Sequence, residues 1–225
     1  MRFKIKSLLT SKDIIPNLSS TYPEVALLAT NEDAFYSSMI NNDYNIICYH
    51  ITRLTCQEID SIKKYGMTLG GKELLIQKII GLPSCCDWFR RELIEYINGL
   101  AETQSDNAIC ASYGLLDLDN DPACDNIFKQ NWGGESIYNY YDKGNGFQDN
   151  YMRTIHETLQ KISYPCLVLL RIDIDTFINS QFGCLYEKFK AKKTETISGS
   201  LYIQNVLPEV VDIIDLSVYD GLSFD

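Results

Sequence analysis

Apolar residues in this chain gather in short β-prone runs, and segments with helical spacing separate those runs. The runs with strand character are residues 45–54, 107–113 and 165–175, followed by two closing strands on either side of Pro208-Glu209. Helical spacing recurs between the first two runs and again before the third. The pattern predicts an α/β or α+β domain whose core is built from these strands.

The first run, Asn45 to Leu54, contains His50, and we expect this histidine to lie where the strand ends and a helix is about to begin. The segment Thr55-Cys56-Gln57-Glu58 that follows has the form of a helix capping box. A helix over residues 55–65 is therefore predicted, with Gly66 as its stop. Polar side chains at such a junction can face a ligand while the backbone stays anchored.

The segments on both sides of this region are predicted to cover the core. Helical patterns at 72–80 and 84–100, separated by Gly81-Leu82-Pro83, form a helical insertion over residues 66–104. Residues 1–44 carry a short edge-strand signal at their start and helical pieces later, with a helix cap near Asn31. We interpret residues 1–44 as an N-terminal extension packed on a domain of residues 45–225.

Charge and cysteine content narrow the possible partners. The 225 residues carry a formal net charge of −10, which disfavours binding to a nucleic-acid backbone because phosphate contacts need clustered Lys and Arg. The eight cysteines and two histidines show no zinc-binding spacing, so no metal is predicted. With no export signal and no run of about 20 apolar residues, the expected location is the cytoplasm, with reduced thiols and no membrane contact. Delivery into another cell is compatible with these features.

A diglycine segment provides one candidate site residue. Gly133-Gly134 lies in an otherwise helical-looking stretch, where each glycine costs about 1 kcal/mol relative to alanine. Such a pair points to an unusual backbone angle or to close approach by another group, and Glu135 follows it directly. The alternative, a helix kink packed by Trp132 with Glu135 in solvent, is equally consistent with the sequence.

Two parts of the chain resemble the ADP-ribosyltransferase superfamily, especially its DNA-modifying toxins and the RNA 2′-phosphotransferases. The segment Tyr49-His50-Ile51-Thr52, followed by Ile59-Asp60-Ser61-Ile62-Lys63-Lys64-Tyr65-Gly66-Met67, is similar to the family's first core strand and helix. The closing strand, the Pro208-Glu209 turn and the last strand are similar to the end of its core. The resemblance implies a split antiparallel sheet with helical insertions, enclosing a cleft for NAD.

The resemblance also implies a role for each residue of the first motif. His50 would hydrogen-bond the adenosine ribose of NAD, and the backbone of Ile51 would bind the carboxamide. Thr52 would brace the strand, while Arg53 would meet the pyrophosphate because a guanidinium pairs bidentately with phosphate oxygens. Tyr113, late in the second strand, would stack on the nicotinamide ring. NAD would serve as a substrate, and no metal would be needed.

The catalytic acid of the family is missing from its expected position. In the family a glutamate begins the penultimate strand, where this chain has Gly199 or Ser200. Ser200 would then face the cofactor without supplying charge. Two carboxylates are candidates for that charge: Glu195, from the preceding loop, and Glu135, from the diglycine segment.

Three functions follow from the resemblance. The first is an NAD-dependent ADP-ribosyltransferase that modifies a macromolecule, with protein favoured over nucleic acid by the acidic charge, acting as a toxin, an effector or a phage–host conflict protein. The second is a catalytically silent module of the same fold that binds a nucleotide or a protein partner. The third is an NAD glycohydrolase, which releases ADP-ribose without an acceptor.

Overall fold

The computed structural model describes residues 2–16, 19–81, 86–100, 108–114, 160–180, 185–190, 198–218 and 221–223. These residues form a mainly antiparallel sheet covered by helices, which confirms the predicted mixture of helix and antiparallel strand. The strands are β1 Arg2–Lys4, β2 Asp13–Ile14, β3 Asn45–Thr55, β4 Ile109–Gly114, β5 Ser163–Asp173, β6 Ser198–Ile203, β7 Glu209–Asp215 and β8 Gly221–Ser223. The helices are α1 Glu24–Leu27, α2 Glu32–Ile40, α3 Cys56–Tyr65, α4 Lys72–Ile80, α5 Asp87–Gly99, α6 Ile174–Ser180 and α7 Leu185–Lys190.

Strand β3 is the centre of the main sheet, whose order is β6-β4-β3-β5-β7. It pairs antiparallel with β5 along its whole length, from Asn45↔Asp173 to Thr55↔Ser163. The short strand β2 joins it in parallel at Asn45 and Ile46. Because β5 is flanked by β3 and β7, its peptide groups are satisfied within the sheet over most of its length, whereas β3 is fully paired only on the side of β5.

His50 lies in the middle of β3 and not at its end, so that part of the expectation is wrong. The β-branched residues Ile51 and Thr52 extend the strand, and the pairing with β5 continues to Thr55. The predicted capping box is confirmed at that later point. Thr55 Oγ1 accepts from the Glu58 amide at 3.3 Å, and the Thr55 amide donates to Glu58 Oε2 at 2.9 Å. Helix α3 ends at Gly66, whose φ of 83° favours glycine.

Alternation along β3 sends its side chains into two separate cores. Ile46, Cys48 and Leu54 lie in the larger core, beneath the helices. Ile47 and Tyr49 lie in a second core on the other face of the sheet. His50 and Thr52 therefore share a face with the larger core, whereas Ile51 and Arg53 point to the opposite face.

The main sheet opens between β3 and β4. Within the described residues these two strands share one ladder pair, Tyr49↔Ser112, whereas β4 and β6 pair over six residues. The connection from β6 to β7 also constrains the shape of the sheet, because those strands lie on opposite edges with only residues 204–208 between them. In a flat sheet the link would have to cover about 19 Å across the strands, and in addition the distance back along them. A link of this length reaches about 20 Å at most. The sheet therefore cannot be flat between its two edges.

Strand β5 begins and ends two residues earlier than predicted, since residues 163 and 164 belong to it and residues 174 and 175 belong to helix α6. Asp173 ends the strand because its carboxylate turns back onto the next helix. The side chain accepts from the Thr176 amide at 2.7 Å and from the Thr176 hydroxyl at 2.8 Å. This arrangement satisfies a free amide in the first turn of α6.

Residues 1–44 contribute to the sheet and to the larger core. Besides β2, they supply Phe35 and Met39 of α2, which are fully buried. The predicted helix cap is confirmed, because Asn31 Oδ1 accepts from the Ala34 amide at 2.9 Å. The short edge strand predicted at the start is β1, which pairs in parallel with β8 in a separate two-stranded sheet.

An ion network ties this N-terminal segment to β5 and β7. Arg171 Nε and Nη2 donate to the two oxygens of Asp13 at 2.8 and 2.9 Å, and its Nη1 donates to Glu209 at 2.7 Å. Burial would raise the pKa of Asp13, but the hydrogen bonds from Arg171 and from the Thr10 amide outweigh it, so this pKa is lowered. The Asp13–Arg171 pair therefore remains ionised across the neutral pH range.

The two insertion helices are confirmed as α4 and α5. They form a third small core from Ile79, Phe89, Leu93 and Ile97, so the apolar stripe of α5 is used for packing. None of the helices that the structure describes is long and apolar enough to cross a membrane.

Candidate functional site

The candidate site lies where the ladder between β3 and β4 stops. Continuing the register from Tyr49↔Ser112 would pair Ile51 with Cys110, but that pair does not form. The Cys110 carbonyl instead accepts a hydrogen bond from His50 Nδ1 at 2.6 Å. We call the gap that begins at His50, Ile51 and Cys110 the β3–β4 opening.

The backbone of Ile51 is directed into this opening. Along an antiparallel strand, the N–H and C=O of one residue point to one neighbouring strand, and those of the next residue point to the other. The Cys110 carbonyl faces β3, because it accepts a hydrogen bond from His50. The peptide groups of Ser112, two residues later, face β3 as well, and Ser112 pairs with Tyr49. The N–H and C=O of Ile51 then point to the same edge as those of Tyr49. No strand in the described part of the chain pairs with that edge beyond Tyr49. Ile51 thus presents one donor and one acceptor side by side.

His50 is held as a neutral ring with its second nitrogen available as an acceptor. Because a carbonyl can only accept, Nδ1 carries the proton, and Nε2 of the neutral ring is then an acceptor. Burial lowers the pKa of His50 below its ordinary value of 6.5; the bond to Cys110 opposes this effect and the charge of Lys78 adds to it. The half-buried ring is therefore suited to accept from a ligand hydroxyl at neutral pH.

Lys78, whose charge contributes to the lowered pKa of His50, forms an ion pair with Glu58. Lys78 Nζ, from α4, is 2.5 Å from Glu58 Oε1, and the two side chains are 32% and 17% exposed. Glu58 Oε2 is bonded to the amide and hydroxyl of Thr55 at the end of β3. Sequence reasoning placed Glu58 in a capping box but missed the approach of Lys78, because no local signal fixes where α4 packs.

Thr52 lies on the same face of β3 as His50, two residues further along. It is half-buried and is paired across the ladder with Cys166, which is fully buried. Its position fits the predicted role of supporting the strand next to the opening. Of the residues assigned to the first motif, His50, Ile51 and Thr52 are the ones that the fold brings together.

Arg53 is directed away from His50. It lies on the opposite face of β3, where its Nε donates to Ser163 Oγ at 3.1 Å. Its Nη2 donates to the Ser163 carbonyl at 2.7 Å and to the Gln160 carbonyl at 3.1 Å. The guanidinium therefore holds the start of β5 in place, and meeting a pyrophosphate at His50 would require it to leave these partners.

Tyr113 is fully buried in the larger core and packs edge-on against Phe177, with ring centroids 5.1 Å apart. Its cross-strand partner is Gly199, where an added Cβ would lie 2.4 Å from the phenol oxygen. The phenol thus fills the space that a side chain at 199 would need. Stacking of a nicotinamide ring on Tyr113 would require this packing to open.

The two positions that correspond to the family's acid differ in orientation. Gly199 lies on the face of the larger core, covered by Tyr113, whereas Ser200 pairs with Ser112 on the face of the second core and is exposed. Ser200 is therefore not brought together with His50. Both candidate carboxylates, Glu135 and Glu195, lie outside the described residues.

Comparison of this chain with models of protein families, with curated proteins and with solved structures finds no match. Within the described residues, no three His, Cys, Asp or Glu side chains form a group that could hold a metal ion. What the opening offers is a neutral imidazole acceptor, an adjacent peptide donor and acceptor, and a nearby ion pair.

Proposed function

We propose that this protein is an ADP-ribosyltransferase that binds NAD in the β3–β4 opening and transfers ADP-ribose to a protein acceptor. The proposal rests on the resemblance of Tyr49-His50-Ile51-Thr52 to the family's first strand. It is supported by the position of that motif on the central strand of an antiparallel sheet that opens beside it.

The observation that carries the proposal is the end of the β3–β4 ladder at the motif itself. A primary carboxamide offers one donor and one acceptor, and the Ile51 backbone presents the complementary pair along an open strand edge. A ribose hydroxyl can donate to Nε2 of the neutral His50 ring. NAD carries both groups, so this edge and this ring together fit the nicotinamide and a ribose of one ligand.

Transfer also requires a carboxylate near the nicotinamide ribose. Breaking the bond between nicotinamide and ribose leaves a sugar with oxocarbenium character, which negative charge stabilises. We assign this charge to Glu135 or Glu195. Glu135→Gln and Glu195→Gln, assayed separately, identify the residue, because the correct variant loses turnover and retains NAD binding. Full activity in both variants would refute the assignment.

The direct test is incubation of the purified protein with NAD labelled in its adenylate portion and a cell lysate. Label transferred to protein supports the proposal, label transferred to nucleic acid corrects the acceptor, and free ADP-ribose without transfer indicates an NAD glycohydrolase.

The matched variants are His50→Asn and His50→Gln. The asparagine amide occupies the place of Nδ1 and keeps a donor for the Cys110 carbonyl, but it removes the Nε2 acceptor. We expect His50→Asn to remain folded and to lose NAD binding by about tenfold or more.

One observation favours a second candidate, a catalytically silent module that binds a nucleotide or a protein partner. The phenol of Tyr113 covers Gly199, so one of the two positions that correspond to the family's acid has no room for a side chain, and the other holds the uncharged Ser200. Saturable binding of NAD that leaves NAD intact in the presence of lysate would support this candidate. Absence of NAD binding by the wild-type protein would reject both functions.

A further inference from the structure

Lys78, on the insertion helix α4, forms an ion pair with Glu58, which is bonded to Thr55 at the end of the strand that carries His50. The charge of Lys78 also contributes to the lowered pKa of His50. We propose that Lys78 binds a phosphate group of the ligand in the β3–β4 opening, and that Glu58 holds the lysine in place when no ligand is bound. Identification of the ligand as NAD rests on the proposed function, whereas the phosphate site itself is defined by Lys78 and Glu58.

The geometry gives Lys78 a fixed position beside β3. Its Nζ lies 2.5 Å from Glu58 Oε1, and Glu58 is anchored to the amide and hydroxyl of Thr55 at 2.9 and 3.0 Å. Thr55 is the last residue of β3, the strand that carries His50. The lysine is thereby tied to the end of the same strand whose open edge receives the ligand.

A cation is needed at this site because a dinucleotide brings two negative phosphates to a chain with a net charge of −10. Arg53 is a poor candidate, since it lies on the opposite face of β3 and donates to Ser163 and Gln160. Lys78 has a flexible four-carbon stem and is 32% exposed, so its ammonium group can move without rearranging the backbone.

The partner of Lys78 can release it at little structural cost. Glu58 Oε2 keeps its bonds to Thr55 when Oε1 loses the lysine, so the capping box of α3 survives the exchange. The carboxylate competes with a phosphate for the same ammonium group. Removing the negative charge of Glu58 should therefore strengthen phosphate binding, an effect that a purely structural ion pair would not produce.

The test is calorimetric titration of wild-type protein, Lys78→Met, Glu58→Gln and the control Lys63→Met with NAD, with ADP and with nicotinamide riboside, which has no phosphate. Lys63 is exposed on α3 and controls for the loss of one positive charge.

We expect Lys78→Met to bind NAD and ADP about tenfold more weakly than wild-type protein does, and to bind nicotinamide riboside as wild-type protein does. Glu58→Gln keeps the capping interaction, because Gln also serves at that position, and it should bind NAD and ADP more tightly. Thermal unfolding of each variant checks that it is folded.

The outcomes separate the two proposals. If wild-type protein binds NAD and Lys78→Met binds it equally well, the inference about Lys78 is wrong and the proposed function stands. If wild-type protein binds ADP in a Lys78-dependent way but does not bind NAD, the phosphate site stands and the proposed function falls. Weaker binding of ADP by Glu58→Gln would refute the competition between carboxylate and phosphate.

Discussion

The Nδ1 atom of His50 donates a hydrogen bond to the main-chain oxygen of Cys110, 2.6 Å away, across the point where β3 and β4 separate. A side chain thus replaces the backbone hydrogen bond that an uninterrupted ladder would have made there. The bond fixes the tautomer of the ring and joins the two halves of the sheet at their junction. The same imidazole therefore stabilises the fold and presents an acceptor to the opening.

The first prediction concerns the protonation of His50. Because burial and Lys78 lower its pKa, we expect the His50 ring to titrate below 6.5 in the folded protein. Proton NMR of the ring signals measures this directly, and the chain has only one other histidine, so His50→Asn assigns the signals. A His50 pKa above 6.5 would contradict the environment described here.

The same shift predicts how stability depends on pH. As pH falls through 6.5, the unfolded state takes up a proton at this position before the folded state does, so the free energy of unfolding decreases. The decrease continues until the pH reaches the lowered pKa of the folded state. Denaturant unfolding at several pH values should show a steeper loss below 6.5 in wild-type protein than in His50→Asn.

The second prediction compares the two acids that Arg171 binds. The Asp13 side chain is fully buried and Arg171 is 15% exposed, so Asp13→Asn removes two buried charge-assisted hydrogen bonds and leaves Glu209 as the carboxylate partner of Arg171. We expect a loss of about 2–3 kcal/mol in the free energy of unfolding. The Glu209 side chain is 63% exposed, and Glu209→Gln should cost about 1 kcal/mol or less. Equal losses in the two variants, measured by denaturant titration, would contradict this ranking.

The lowered pKa of Asp13 also predicts that the free energy of unfolding decreases at acidic pH. Its pKa is lowered in the folded state, so its contribution to stability is present above the ordinary value of 3.8. That contribution disappears as pH falls from 3.8 through the lowered value, because the unfolded state is protonated first. Asp13→Asn should remove this part of the acid dependence, whereas Glu209→Gln serves as the control and should retain it.

The third prediction concerns two neighbouring residues of β6. An added Cβ at Gly199 would lie 2.4 Å from the phenol oxygen of Tyr113, so Gly199→Ala forces buried groups apart. We expect it to lower the free energy of unfolding by about 1–3 kcal/mol. Ser200→Ala, on the exposed face of the same strand, should change stability by about 0.5 kcal/mol or less. A stable Gly199→Ala variant would show that Tyr113 yields readily and that the site can open there.

The fourth prediction separates the structural role of Arg53 from a ligand-binding role. Arg53→Met removes three hydrogen bonds at the start of β5, and we expect a loss of about 1–3 kcal/mol in stability. Binding of NAD to the folded variant should be unchanged, because the guanidinium points away from His50. Selective loss of NAD affinity with unchanged unfolding would reinstate Arg53 as a pyrophosphate contact.

Local signals predicted the elements of the fold well. The capping box at Thr55, the cap at Asn31 and the stop at Gly66 are interactions between residues three or four apart, and each is present in the structure. The expectation that the strand ends at His50 was wrong, because the continuation of β3 to Thr55 depends on pairing with β5, which is distant in sequence. Asp173 likewise ends β5 through a side-chain cap that hydrophobic patterning does not reveal.

The site was harder to predict because it depends on which face of a strand each residue occupies and on what packs against that face. His50 and Arg53 are three residues apart on one strand and point to opposite sides of the sheet, so proximity in sequence was misleading for Arg53. Tyr113 was predicted to stack on a ligand because it is aromatic and lies late in a core strand, but it is fully buried. Its burial follows from the absence of a side chain at Gly199, on a different strand. The approach of Lys78 to Glu58 depends on tertiary packing alone.

The pairing of β3 with β5 has a consequence for how the protein is made. Every partner in that ladder is separated from its counterpart by more than 100 residues of chain, so the central pair of the sheet cannot form locally. As the polypeptide leaves the ribosome, the apolar strand β3 emerges long before β5 does. The backbone N–H and C=O groups along its edges stay unpaired during this interval. Assembly of such distant partners is slow compared with that of helical bundles. We therefore expect the nascent chain to depend on chaperones until β5 has been synthesised.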